Sequence, residues 1–226
     1  MHNNSDRFSI ELFAAGERWL VDAESSADGH SFSANVQREL NRSTLCHNLV
    51  SVDAHDQRGI DHTLKVHAFA PDVPRIVVGD DGELYAGVSQ TRTLELRPTE
   101  LNDQIVLWSD ELHQFDYQLH FNPGVELELN LPWQPAPLLG AGVEYTWVRD
   151  ATQAPLQGRD LTFIARQNGR TLKVILEVPA NATIIRGNLP RTQDFQSPHN
   201  PFIIVRVANV DGAQFKARFC WEYGQH

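Results

Sequence analysis

A chain of 226 residues with 41% hydrophobic and 21% charged residues has the balance of a globular protein, which argues against a disordered one. Its formal net charge of −10 argues against non-specific nucleic-acid binding, where a basic face supplies most of the affinity. It also repels polyanions at long range unless basic side chains gather in one groove.

No apolar run approaches the ~20 residues of a membrane-spanning helix. Polar residues follow Met1 at once, so no signal peptide is expected. Phe8–Phe13 and Arg18–Asp22 read as a hairpin turning at Gly16, and residues 23–40 as a long loop with a short helical turn near 34–40. Strands are then expected at 46–52, 61–70, 74–78, 83–88, 91–97, 103–109, 113–121 and 124–131. After a break they resume at 143–149, 160–166, 170–178, 182–187, 201–209 and 213–222. The sequences Asp80-Asp81-Gly82, Asn122-Pro123-Gly124, Asn168-Gly169 and Asp211-Gly212 read as hairpin turns. About fifteen strands with almost no helical period predict an all-β fold, a large antiparallel β-sandwich over 1–226. The Pro-rich patch Pro132–Pro137 marks an internal break near 132–142, read as a connection within one sandwich rather than a linker. Cys46 and Cys220 read as buried free thiols rather than a disulfide, and do not fix the compartment.

Two polar constellations carry the candidate chemistry. His2, Asn4 and Asp6 precede the hairpin, whose far strand ends at Asp22; an imidazole and carboxylates brought together there suit a divalent metal such as zinc. A terminal HNNSD also reads as a solvated tail, and Asp22 as a turn former. His47-Asn48 heads an alternating run, Leu49–Val52, that closes on Asp53, His55, Asp56 and Gln57. The histidine can accept a proton and the carboxamide can neutralise a substrate carboxylate; equally, both can satisfy backbone groups where the loop meets the strand. Arg38 and Arg42 flank this region and suit bidentate pairing with a uronate, or ion pairing with Glu39 or Asp53. His113, Phe115 and Tyr117 share one strand face and His120 the other, read as buried and hydrogen-bonded. Trp108, Trp133, Trp147 and Trp221 suit sugar stacking but also ordinary packing.

FSIELFAAGERWLVD followed by RSTLCHNLVSVDAHDQ resembles the C-terminal β-domain of the heparinase II/III-like polysaccharide lyases. That family shows an HxHxD-like segment, a hairpin ending in Asp, and an R-S-T-x-x-H-N strand with a terminal Asp and Gln. DELHQFDYQLHFNPG and NPFIIVRVANVDGAQFKARF are similar to its later strand pairs, so the resemblance spans essentially the whole chain. It implies β-elimination on an acidic, uronate-containing polysaccharide, heparan-like or alginate-like. It also implies a partner α/α toroid, in cis or in trans, supplying the catalytic tyrosine and an Asn or His. His2 matches the first histidine of HxHxD, a catalytic candidate, and Asp22 and His47 match two ligands of a structural zinc. The residue reading and the resemblance together leave His2, His47 and Asn48 as the catalytic candidates and Arg38, Arg42 and Asn4 as the substrate-binding ones; the resemblance implies a periplasmic or secreted protein.

Three features depart from the pattern. Asn4 stands where the third zinc ligand falls. No tyrosine lies within 23–40, where His30 and Phe32 are nearest, and Met1 immediately precedes the motif with no toroid before it. A split gene product, a truncated chain or a free-standing β-domain is therefore expected, with little activity alone. The alternatives are a non-catalytic glycan-binding or assembly module of the same fold, and a structural β-domain with no sugar ligand.

Overall fold

The computed structural model describes residues 5–23, 39–58, 64–190 and 199–222. Its strands are β1 (Leu12–Ala14), β2 (Glu17–Leu20), β3 (Val50–Val52), β4 (Lys65–Ala70), β5 (Arg75–Tyr85), β6 (Val88–Arg97) and β7 (Glu100–His120), then β8 (Glu126–Glu128) and β9 (Gln134–Pro135). They continue as β10 (Arg149–Pro155), β11 (Asp160–Gln167), β12 (Arg170–Glu177), β13 (Thr183–Leu189) and β14 (Asn200–Trp221). β1 and β2 form a separate hairpin; the other twelve strands form one large antiparallel sheet. The all-β class read from the sequence is the class found.

β7 and β14 are long enough to serve two layers. The first half of β7 pairs β6 and the second half of β14, giving the layer β4-β5-β6-β7-β14-β12-β11-β8. The second half of β7 pairs β3 and the first half of β14, which leads on to β13, β10 and β9. The change of layer coincides with register breaks at Ala208, Val210 and Gly212 of β14, where extra residues bend the strand. Asp211-Gly212 therefore lies inside a strand and turns no hairpin.

Asp80-Asp81-Gly82 likewise sits inside β5. The Asp80 carboxylate accepts the backbone N–H groups of Gly82, Glu83 and Leu84 at 3.1, 3.1 and 3.2 Å, and Gly82 takes φ +93°, open to glycine without strain. Bulges and hairpin turns use the same residues for the same reason, so the local signal was real and its consequence different. Asn168-Gly169 does turn the tight β11–β12 hairpin, in register from Gln167↔Arg170 to Asp160↔Glu177. Val143–Trp147, expected as strand, is a 3-10 turn that lowers Tyr145 onto the sheet, and β10 begins only at Arg149. Within the Pro-rich patch, Gln134–Pro135 adds a two-residue strand to β10.

The main core fills the space between the layers with Phe115, Tyr117 and Leu119 of β7, Ile203, Val205 and Val207 of β14, and Phe163 and Phe219 of the opposite layer. A second cluster covers the other face of the shorter layer: Phe202, Ile204 and Ile185 lie beneath Leu40, Leu45, Cys46, Leu139 and Tyr145. Even-numbered residues of β7 (Asp116, Gln118 and His120) share that outer face and are fully buried. A row of polar groups is thus sealed under the segment that carries His47.

Candidate functional site

The amino-terminal segment and Arg42–Gln57 are sewn together by backbone and side-chain hydrogen bonds. Ser5 N–H donates to the Arg42 carbonyl at 3.1 Å, and Thr44 Oγ1 donates to the Ser5 carbonyl at 3.0 Å. Gln57 exchanges two bonds with Arg7, accepting its N–H and donating to its carbonyl, both at 2.8 Å. Gln57 is buried, so its carboxamide acts as an internal clamp. Asp56 accepts the Thr44 N–H at 2.7 Å, fixing the start of the 3-10 turn Thr44–Cys46. Burial nevertheless raises its carboxyl above the usual carboxylate range, only partly offset by that N–H and by His47.

His47, Asp22 and His120 meet behind this seam. β2 delivers Asp22 to the end of β7 through the Val21 N–H, which donates to the His120 carbonyl at 3.1 Å. His47 Nδ1 lies 3.1 Å from Asp22 Oδ2, a close contact that is poorly aligned for a hydrogen bond. Ser9 Oγ donates to Asp22 Oδ1 at 2.8 Å and accepts the Asn48 N–H at 3.1 Å. Burial alone would raise the Asp22 carboxyl, but contact with His47, followed by the Ser9 hydroxyl, holds it below the usual range. Both imidazoles are fully buried. His120 has no well-aligned partner on either ring nitrogen among the described residues; burial first, then the neighbouring His47, pulls its pKa down to about 3, so it is neutral near pH 7. His120 was expected to be buried and hydrogen-bonded; it is buried, with its ring against Phe202 at 5.8 Å between centroids.

Asn48 is the tie between these elements. Its Nδ2 donates to the carbonyls of Ile10 and Val21, both at 2.9 Å, and its Oδ1 accepts the His120 N–H at 2.7 Å. That occupies both amide hydrogens and the oxygen, leaving no group directed at a substrate. His47 has no exposed surface from which to reach one either. Asn48 therefore satisfies backbone groups, the reading given beside the catalytic one, whereas the His47 ring contacts the Asp22 carboxylate and no backbone group among the described residues. Asp22 opens outward, its side chain 23% exposed, onto a shallow depression of about 380 Å3 bounded by Asp6, Arg7, Ser9 and Glu11. Arg42 is exposed and forms no ion pair among the described residues. Glu39 instead accepts the Trp147 indole N–H, and Asp53 contacts His113 at 2.7 Å. His2, Asn4 and Arg38 lie outside the described residues, as do His30 and Phe32.

The zinc implied by the resemblance needs a complete ligand set. Asp22 and His47 are in contact, but among the described residues no group of three or more His, Cys, Asp or Glu is arranged to hold a metal. Two of the implied ligands are thus in contact, while position 4, where the third falls, lies outside the described residues.

Arg92 is the residue sequence reasoning missed. It crosses the core from β6, fully buried, and forks onto Asp103, with Nε to Oδ1 at 2.8 Å; Tyr117 donates to the same carboxylate at 2.8 Å. Its Nη1 donates to the carbonyls of Asn48, at 2.7 Å, and Phe8. One guanidinium thus links both layers to both halves of the rim. Only its place in an alternating strand was visible in sequence, because its partners lie 11 to 84 residues away.

A groove of about 470 Å3 crosses β6, β7, β14 and β12 on the outside of the longer layer. Its cations are already matched: Arg97 with Glu95 and Glu100, Lys216 with Glu177, and Arg218 with Glu100. The buried polar cluster and its opening at Asp22 are therefore the better candidate site.

No sequence-family model matches the chain, and no curated protein matches it. Solved structures do. A heparinase III structure with methylated lysines superposes with TM-score 0.70 at 12% identity, covering 98% of this chain and 30% of that one. A mutant of the heparan sulfate lyase HepC from Pedobacter heparinus gives 0.64 at 9%, covering 99% and 31%, and a further heparinase III gives 0.62 at 11%, covering 99% and 31%. The chain therefore has a heparinase III-like β-fold and spans about a third of the length of these solved structures.

Proposed function

We propose that this chain is the β-domain of a polysaccharide lyase that cleaves uronate-containing glycans, heparan-like or alginate-like, by β-elimination together with an α/α toroid. The observation that carries this reading is the seam between Ser5–Ser9 and Arg42–Gln57. It ties the peptide that follows His2 to the segment bearing exposed Arg42. The likeness in fold to heparinase III over nearly the whole chain supports it.

In β-elimination the substrate carboxylate is neutralised, a base removes the C5 proton, and an acid protonates the leaving glycosidic oxygen. His2 is assigned to proton transfer; Arg38, Arg42 and Asn4 are assigned to the carboxylate and the sugar hydroxyls. Asp22, His47 and Asn48 hold the rim in place from behind. The toroid supplies the tyrosine and the opposite wall of the cleft. The test is to mix the chain with a toroid domain and a heparan-like or alginate-like glycan, then follow the ultraviolet absorbance of unsaturated uronate ends. Product appearing only with both components is expected. Glycan binding with no product from any toroid partner would instead favour a non-catalytic binding module, which the complete burial of His47 and Asn48 also suits.

A further inference from the structure

At the end of the sandwich where β13, β10 and β8 approach one another lies a separate cleft of about 420 Å3, lined by Leu127, Asp150, Thr152, Arg186 and Asn188. Arg186 and Thr152 are register partners on β13 and β10, so their side chains share one face. The guanidinium is fixed on two sides. Its Nε donates to Thr152 Oγ1 at 3.1 Å, and its carbon sits 4.2 Å from the centre of the Trp133 ring. Neither terminal nitrogen has a hydrogen-bond or ion-pair partner among the described residues. The one carboxylate lining the cleft, Asp150, instead accepts the Asn188 amide at 3.3 Å.

We infer that this cleft is an anion subsite in which Arg186 takes the carboxylate of an acidic sugar. A guanidinium held by an aromatic face and a hydroxyl has already lost the freedom that binding would otherwise cost, and its open edge matches two carboxylate oxygens. This sets it apart from the cations of the larger groove, whose charges are already paired. Thr152 and Asn188 offer polar groups beside the edge for ring hydroxyls, Leu127 and Pro201 supply apolar walls, and Trp133 backs the guanidinium. That the ligand is a saccharide rests on the lyase reading; that it is an anion rests on Arg186.

The test is a titration followed at the Trp133 indole N–H by NMR, that signal being assigned through Trp133→Phe. The probes are a glucuronate-containing tetrasaccharide, a neutral tetrasaccharide of the same length, and the bare ions acetate and sulfate. The acidic tetrasaccharide is expected to give a saturable shift that the neutral one does not. Arg186→Met keeps the apolar stem over Trp133 and is expected to weaken binding about tenfold or more. Thr152→Val, which removes only the hydroxyl holding Nε, is expected to weaken it about threefold. No saturable shift, a shift unchanged in both variants, or acetate or sulfate binding as tightly as the acidic tetrasaccharide would overturn the assignment. The lyase assay reads product and this titration reads occupancy at Trp133, so either can fail without the other.

Discussion

Asn48 and His120 show how a residue that looks catalytic in sequence can be structural in space. Asn48 makes three bonds, two of them buried, to backbone groups of three separate segments. Asn48→Ala leaves those groups without partners and is expected to cost roughly 2–4 kcal/mol in a urea titration. A loss below a few tenths would show that the tie is dispensable. His120 makes the opposite case: it is buried, neutral near pH 7 and without a well-aligned partner among the described residues. Its folded pKa of about 3 lies far below the unfolded value of 6.5, so the unfolded chain binds the extra proton between those values. Stability is therefore expected to be full above pH 6.5 and to fall by a few kcal/mol as the pH drops toward 3. Asp22, with its lowered pKa, adds a further loss below 3.8. His120→Leu should flatten the stability profile between 6.5 and 3, read as the urea midpoint against pH. An unchanged slope would mean that His120 is not the titrating group.

Between elements, the strongest dependence runs through Arg92. Removing one partner of a buried ion pair leaves the other charge stranded, so Arg92→Met is expected to cost about 3–5 kcal/mol. Pairing it with Asp103→Leu should recover much of that loss. If the double variant is no more stable than the single, the cost lies in the lost carbonyl contacts of Phe8 and Asn48 instead. Gly187 of β13 is constrained by close approach: an added Cβ would lie 2.6 Å from the Phe202 ring and 3.1 Å from the Arg149 carbonyl. Gly187→Ala is thus expected to lower the melting temperature by displacing Phe202, the ring that backs His120. The fold class and the β11–β12 turn could be read in sequence, because alternation and an Asn-Gly pair are local signals. The fusion of paired short strands into β5, β7 and β14 could not, since bulge residues resemble turn residues. The Val143–Trp147 turn was hidden for another reason: its β-prone residues are overruled by the burial of Tyr145.

At the scale of the molecule, the sheet presents one rim on which the amino-terminal segment and Arg42–Gln57 are held together, backed by Asp22, His47 and His120. The convergence of these two stretches was legible as two polar groups at strand ends. What seals them, the polar row of β7 and the reach of Arg92, depends on contacts across the fold that no local pattern records. On the proposed function, this rim belongs to one half of an elimination site, and His2 is the residue assigned to proton transfer. The most direct test is the rate of unsaturated product formation by His2→Ala relative to wild type in the toroid-supplemented reaction, with the urea midpoint of each recorded alongside. A fall of about a hundredfold or more with the midpoint unchanged is expected; a His2→Ala protein as active as wild type would overturn the assignment of His2.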